Sequence, residues 1–101
     1  MTDGLKDTHR SAIVNLLRSN ERVERAVLFG SRARQTFTQG SDVDIALFGE
    51  SLTTTDQARL AAAMEELTVP QRVDLLLYDR VENTSLRKHV QREGVELYRR
   101  Q

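Results

Sequence analysis

The sequence predicts an α/β (α+β) fold, in which a small mixed β-sheet of about three to four strands is flanked by helices. Segments with apolar residues at three- and four-residue steps alternate with short apolar runs of the kind found in buried strands. The chain of 101 residues shows no repeat and no linker, and its single proline, Pro70, falls between two periodic segments. We therefore expect residues 1–101 to form one domain with the order α-β-α-β-α-β-α.

The first two long helices are predicted from apolar periodicity. One runs from about Leu5 to Arg18 and ends before the polar segment SNERVER. The other begins where Thr54 and Gln57 have the spacing of a capping box. The apolar face of this second helix consists of Leu60, Ala61, Met64 and Leu67.

The strands are predicted from short apolar runs bounded by turn residues. Three such runs are AVLFG at 26–30, DVDIALF at 42–48 and RVDLLLY at 72–78. After the third run, we expect a helix that is capped by Asn83, continues to about Arg92 and ends at Gly94. A short element of unspecified type follows in the segment GVELYRR.

Composition and charge exclude several classes of protein. The 39% hydrophobic and 30% charged residues are typical of a globular protein. The absence of cysteine excludes disulfides and thiolate metal sites, and the isolated His9 and His89 offer no local pair for zinc. Fifteen basic and fifteen acidic residues cancel, so we expect no direct binding of nucleic acid. With no apolar run of membrane-spanning length and no secretory signal pattern, we expect a cytoplasmic protein without membrane contact.

Two aspartates interrupt the second predicted strand. Alternate residues of a strand share a face, so Asp42 and Asp44 point the same way, about 6–7 Å apart at the backbone. At an effective dielectric constant of about 20, two full charges at that distance repel by about 2–3 kcal/mol. Aspartate is also a poor strand former. A hard divalent cation with oxygen ligands would compensate this repulsion.

The third predicted strand carries a further acid, Asp74. If the second and third strands are neighbours in one sheet, Asp74 joins Asp42 and Asp44 on a common face. Three clustered carboxylates are what two-metal phosphoryl chemistry requires. Taken alone, Asp74 is better explained as a solvated polar residue at the start of a strand, but beside the aspartate pair we favour the three-carboxylate cluster.

A glycine and a serine follow the first predicted strand and precede a predicted helical turn, RARQ. Gly30 would let a phosphate approach the backbone, and Ser31 offers a hydroxyl and an amide. The loop is not a Walker A motif, because no G-x-x-x-x-G-K-[ST] pattern occurs in the chain. By itself a Gly-Ser pair after a strand is most often an ordinary turn.

The spacing of these residues resembles a known family. Gly30-Ser31, ten residues and then Asp42-x-Asp44, with a later strand aspartate, resembles the pattern of the DNA polymerase beta-like nucleotidyltransferase superfamily. The segments GSRAR, SDVDIAL and VQREGVELYRR are most similar to minimal nucleotidyltransferase (MNT) domains, the antitoxin partners of HEPN-domain toxins. The likeness covers nearly the whole chain and implies the nucleotidyltransferase fold.

The resemblance also implies roles for individual residues. Asp42 and Asp44 would hold one or two Mg²⁺ ions, and Asp74 would help to hold the second ion and to remove a proton from the attacking hydroxyl. Gly30 and Ser31 would bind the β and γ phosphates of ATP. Contact with the triphosphate would come from Arg34, with Arg32 as a weaker candidate; the alternative for both arginines is a solvated helix face.

Three functions remain open at this point. The resemblance implies an enzyme that transfers AMP from ATP to a HEPN-type RNase toxin, on a tyrosine, in a hetero-oligomer with that partner. A second possibility is a binding antitoxin that occludes the toxin without catalysis. A third is a nucleotidyltransferase that acts on tRNA or a small molecule, against which the neutral charge and the lack of a substrate-binding lobe both count.

A few residues carry further expectations. Many relatives have glycine where this chain has Gln35, and a positive φ there would cost glutamine some free energy. His9 and His89 are interpreted as ordinary surface residues. Tyr78 and Tyr98 are expected to pack their rings at the ends of apolar segments.

Overall fold

The computed structural model describes residues 3–101, so the first two residues of the predicted domain lie outside the described part. Helices and strands alternate along the chain in the predicted order, with one strand added at the end. The elements are α1 (Asp7–Arg18), β1 (Arg25–Phe29), α2 (Ser31–Arg34), β2 (Val43–Phe48), α3 (Thr54–Glu65), β3 (Val73–Leu77), a 3-10 turn (Tyr78–Arg80), α4 (Thr84–Glu93) and β4 (Val95–Arg99).

The four strands form one mixed sheet in the order β3-β2-β1-β4. β1 is antiparallel to both β2 and β4, whereas β2 and β3 are parallel. The C-terminal segment, whose type the sequence left open, is therefore an edge strand of this sheet. Within residues 3–101, no helix is both long enough and apolar enough to cross a bilayer.

Side chains alternate between the two faces of the sheet, and each face packs against different helices. On one face lies the larger core, to which α1 contributes Ile13 and Leu17 and α3 contributes Leu60 and Met64. The opposite face holds a smaller cluster with Val90 of α4 at its centre. Residues of this second cluster are Val27, Ala46, Tyr78 and Val90, flanked by Phe29, Phe48, Leu76 and Leu86. The tyrosine rings are buried, as expected for Tyr78 and Tyr98.

Helix α4 ends at Gly94, as predicted, but not for the usual conformational reason. Its φ is −66°, which any residue adopts, so no left-handed cap is required. A Cβ at this position would instead overlap the carbonyl oxygen of Val90 and a methyl group of Val27. The glycine thus allows α4 to pack closely against β1, and this packing fixes the position of α4 over the sheet.

The capping box of α3 lies one residue earlier than the sequence predicted. Thr53, not Thr54, is the N-cap, and its hydroxyl accepts the amide proton of Asp56 at 3.1 Å. The carboxylate of Asp56, not the side chain of Gln57, in turn accepts a hydrogen bond from the Thr53 amide at 2.9 Å. Because three threonines are consecutive, spacing alone does not decide whether Thr53 or Thr54 is the N-cap. The side chain of Gln57 instead donates a hydrogen bond to the carbonyl oxygen of Leu75.

This correction gives a first testable prediction. Replacing Thr53 with alanine removes the capping oxygen and should lower the free energy of unfolding by about 1 kcal/mol. The matched variant Thr54→Ala should change it by less than about 0.5 kcal/mol, because that residue is exposed. Urea denaturation measures both, and a larger loss for Thr54→Ala would show that the cap is misplaced.

Candidate functional site

The three aspartates lie on the face of the sheet that α4 covers. Asp44 and Asp74 are direct partners in the parallel pairing of β2 with β3, and paired strands lie about 4.8 Å apart. Asp42 comes immediately before β2, two residues from Asp44, and is near enough for its charge to raise the pKa of Asp44. The predicted pairing of the second and third strands is therefore present, and it places Asp44 directly beside Asp74 with Asp42 nearby.

Of the three aspartates, Asp44 is the one whose carboxylate is affected by the charges of both others. Its pKa is raised above the ordinary value, first by burial and then by the negative charges of Asp74 and Asp42. A positive charge on His89 would lower the pKa of Asp44, but only if the imidazole were protonated. The site therefore holds negative charge without full compensation.

Asp74 has a partner of its own. Its Oδ1 lies 3.0 Å from Nε of Arg72, in a pair that is largely exposed to solvent. In this arrangement, no three acidic or histidine side chains of residues 3–101 already converge as a metal-binding group. Exposed ion pairs contribute little free energy, so a ligand could draw Asp74 away from Arg72 at small cost.

The chemistry of these donors fits a hard divalent cation. All three predicted ligands are carboxylates, and Mg²⁺ prefers oxygen. The unbalanced charge at Asp44 is what a cation would relieve. If Mg²⁺ binds here, Asp42, Asp44 and Asp74 are the residues placed to hold it.

The predicted glycine turn lies against Asp44. Gly30 has φ 77° and ψ −154°, a conformation that only glycine adopts readily. A Cβ on Gly30 would overlap Oδ2 of Asp44. Ser31 then begins the short helix α2, so the predicted helical turn is confirmed. Ser31 directly follows the glycine that lies against Asp44.

Of the two candidate arginines, Arg32 has a structural role. Its side chain is 1% exposed, and its guanidinium donates to the carbonyl oxygens of Asp3, Gln39 and Ser41 while lying 5.0 Å from the ring centre of Phe37. Both earlier interpretations of Arg32, a phosphate contact and a solvated helix face, are wrong. The residue holds the 37–41 loop to the N-terminal segment.

Arg34 is exposed and lies at the rim of the site. Its Nε donates to Oε2 of Glu93 at 2.5 Å, and its Nη2 lies 3.2 Å from Nδ1 of His89. Both hydrogen bonding to Arg34 and its positive charge lower the pKa of Glu93. Arg34 is thus connected to α4 and would have to exchange Glu93 for a phosphate to contact a nucleotide.

The sequence interpretation missed His89. It was read as a surface residue, but its side chain is only 15% exposed and its Nε2 accepts the amide proton of Gly30 at 2.9 Å. One signal was available: His89 and Glu93 are four residues apart, beside the apolar positions Leu86 and Val90. The contact with Gly30, 59 residues earlier in the chain, had no sequence signal.

Gln35 ends α2 in the left-handed conformation, with φ 64° and ψ 29°. It is the one non-glycine residue with positive φ among residues 3–101. The suspected strain at this position is therefore present in the structure.

A second prediction follows from this strain. Gln35→Gly should raise the free energy of unfolding by up to about 1 kcal/mol, because the left-handed conformation costs a residue with a side chain about 1–2 kcal/mol. Gln39→Gly, in the same loop but without positive φ, should lower it by several tenths of a kcal/mol. Chemical denaturation compares the two, and equal losses in both variants would contradict the assignment of strain to Gln35.

Comparison with known proteins places the chain in a family. The sequence model described as "Polymerase beta, Nucleotidyltransferase" matches residues 11–101, a span that contains the glycine turn and all three aspartates. The chain belongs to the polymerase beta nucleotidyltransferase family. A comparison with curated proteins gave no match.

Solved structures with the same fold include toxin-antitoxin complexes. A toxin-antitoxin structure with AMP-PNP contains a chain 29% identical to this one, with a TM-score of 0.75 over 91% of this chain and 74% of that one. The MntA-HepT toxin-antitoxin structure gives 25% identity and a TM-score of 0.71, over 94% and 74%. A structure provisionally described as a minimal nucleotidyltransferase is 33% identical, with a TM-score of 0.64 over 87% and 88%. The four-stranded mixed sheet with flanking helices is thus the nucleotidyltransferase fold.

Proposed function

We propose that this protein is an MNT-type antitoxin that transfers AMP from ATP to a HEPN-type RNase toxin and thereby silences it. The acceptor is a hydroxyl group, most simply that of a tyrosine. The observation that carries the proposal is the register pairing of Asp44 with Asp74 beside Gly30, at a site with uncompensated negative charge. Family membership supports the reaction class.

The similarity to solved complexes supports the partner and the nucleotide. One of the similar structures is a toxin-antitoxin complex with AMP-PNP, and another is the MntA-HepT pair. By this analogy the protein forms a hetero-oligomer with its toxin and takes a nucleoside triphosphate. We place both proteins in the cytoplasm, where ATP is available.

In the proposed reaction, the acceptor oxygen forms a bond to the α-phosphorus of ATP. The bond from that phosphorus to the oxygen bridging to the β-phosphate breaks, and pyrophosphate leaves with the electron pair. Asp74 accepts the proton of the attacking hydroxyl, for which its half-exposed carboxylate is accessible. The products are the AMP-modified partner and pyrophosphate.

The remaining residues bind and orient the nucleotide. Asp42, Asp44 and Asp74 would hold Mg²⁺, which when bound neutralises charge on the triphosphate. Ser31 offers its hydroxyl and amide to the β and γ phosphates, next to a turn that Gly30 keeps free of a side chain. Arg34, once released from Glu93, would add a positive charge at the same end of the nucleotide.

A binding antitoxin without catalysis is the second candidate. Two observations favour it: Asp74 is paired with Arg72, and Gln35 strains the end of α2. The uncompensated charge at Asp44 favours the enzyme, because clustered acids that bind no cation only destabilise a fold. A nucleotidyltransferase for tRNA or a small molecule has no comparable support.

Incubation with α-labelled ATP, Mg²⁺ and the purified toxin partner distinguishes the two candidates. The native protein should place label on the partner, and the double variant Asp42→Asn, Asp44→Asn should not. Mass analysis of the labelled partner should locate AMP on a tyrosine. If neither protein labels the partner but both bind and inhibit it, the enzyme is excluded and the binding antitoxin remains.

A further inference from the structure

His89 connects helix α4 to the glycine turn through one atom. The Nε2 atom of its ring accepts the amide proton of Gly30 at 2.9 Å. The ring also meets Phe29 edge-on, with ring centres 5.9 Å apart and planes inclined by 75°. With a side chain 15% exposed, the imidazole is enclosed between the end of β1 and the C-terminal half of α4.

These contacts define the tautomer of the ring. Because Nε2 accepts a hydrogen bond, it carries no proton, and the proton of the neutral imidazole resides on Nδ1. Nδ1 donates a hydrogen bond to Oε2 of Glu93 at 2.7 Å. The Nη2 atom of Arg34, 3.2 Å from the same Nδ1, then lies beside the ring without donating to it. Glu93 therefore stabilises the tautomer in which Nε2 can accept the hydrogen bond from Gly30. In histidines generally, the hydrogen bond made by one ring nitrogen sets the role of the other.

The amide of Gly30 is consequently occupied. It donates to the imidazole, so it is not the group that would meet a phosphate oxygen. What Gly30 contributes is its positive φ and the absence of a Cβ that would overlap Asp44. A backbone in this conformation persists only where its surroundings hold it.

We propose that His89, oriented by Glu93, is a positioning residue that fixes the Gly30-Ser31 turn against Asp44 and so prepares it for the triphosphate. The effect on the nucleotide rests on the function proposed above. The hydrogen bond from the Gly30 amide to Nε2 of His89, which we call the clamp, does not. Among the described residues, His89 forms no hydrogen bond or ion pair with the three aspartates, and its contact with the glycine turn is the hydrogen bond from the Gly30 backbone.

The clamp is tested first in the native full-length protein, without nucleotide. Long-range ¹H–¹⁵N NMR spectra of the ring should show His89 with its proton on Nδ1 and a bare Nε2. The Gly30 amide should exchange slowly with solvent. A proton on Nε2 would overturn the proposal, since two donors cannot face each other at this distance.

Two substitutions then test the consequence for the nucleotide. His89→Leu removes the acceptor and should speed exchange of the Gly30 amide and weaken ATP-Mg binding about tenfold, by titration calorimetry. His89→Gln offers an oxygen near the former Nε2 and should restore most of both properties. The control His9→Gln, on α1, should leave both unchanged.

The outcomes separate the clamp from the proposed function. If the native protein binds no ATP-Mg, alone or with its partner, the proposed function fails, while the tautomer and the Gly30 exchange rate still decide the clamp. If His89→Leu binds ATP-Mg as tightly as the native protein, the positioning role is overturned although the function stands. Loss in His89→Leu with recovery in His89→Gln supports both.

Discussion

Replacing Asp44 with asparagine is expected to reduce AMP transfer by about a thousandfold or more and, at the same time, to make the folded protein more stable. The rate falls because the carboxylate at the centre of the proposed cation site is lost. Stability rises because Asp44 is held near Asp42 and Asp74 in a partly buried position that raises its pKa. Such opposition between activity and stability is typical of functional sites.

The pH dependence of this stabilisation has a definite sign. The folded-state pKa of Asp44 lies above the unfolded value, about 3.9 for aspartate. Between the two pKa values the folded state binds more protons, so stability falls as pH rises through that window and the penalty is complete above it. The increase in Tm of Asp44→Asn should therefore be full at pH 7 and vanish below about pH 3.9.

Thermal unfolding at several pH values, beside the labelling assay, measures both effects. Glu82→Gln, which removes an exposed carboxylate from the loop before α4, is the control and should change neither. A Tm for Asp44→Asn that falls at pH 7 would contradict the assigned repulsion. Retention of transfer activity would exclude Asp44 from the site.

Gly30→Ala is the second change with a large expected effect. The new methyl group would overlap Oδ2 of Asp44, and alanine at φ 77° and ψ −154° is strained. The strain should lower the free energy of unfolding by about 1–3 kcal/mol. A displacement of Asp44 by about 1 Å should reduce AMP transfer by about a hundredfold.

Gly40→Ala is the matched control, since a Cβ there meets no atom within 4 Å and its φ is not positive. It should leave activity unchanged and alter stability by less than about 1 kcal/mol in either direction. Denaturation and the labelling assay compare the two variants. Equal behaviour would mean that the close approach of Gly30 to Asp44 has no functional importance.

The strands and their acidic positions were predictable because they depend on the alternation of side chains along a single strand. A strand places alternate residues on one side, so Asp42 and Asp44 had to share a face, and β3 repeats the pattern with Asp74. The spacing between Gly30-Ser31 and these aspartates predicted the family, which the match over residues 11–101 confirms. The strained position at Gln35 was also foreseen, because a single departure from the family pattern marked it.

What the sequence did not reveal depends on contacts between distant segments. Arg32 looked like a solvent-exposed or phosphate-binding cation, but carbonyl oxygens from two other segments bury it. His89 reaches Gly30 only because α4 packs on β1, and no local pattern encodes that approach. The register of the α3 cap was ambiguous for the opposite reason, since adjacent threonines satisfied the same local rule.

The face carrying Asp42, Asp44 and Asp74 is the proposed nucleotide site. Titration of ¹⁵N-labelled protein with ATP and paramagnetic Mn²⁺ tests it most directly, because the bound ion broadens nearby amide signals. We expect the strongest broadening at residues 42–45, at Asp74 and at Gly30-Ser31, and its loss in the Asp42→Asn, Asp44→Asn variant. Broadening centred elsewhere, or equal in the variant, would contradict the account.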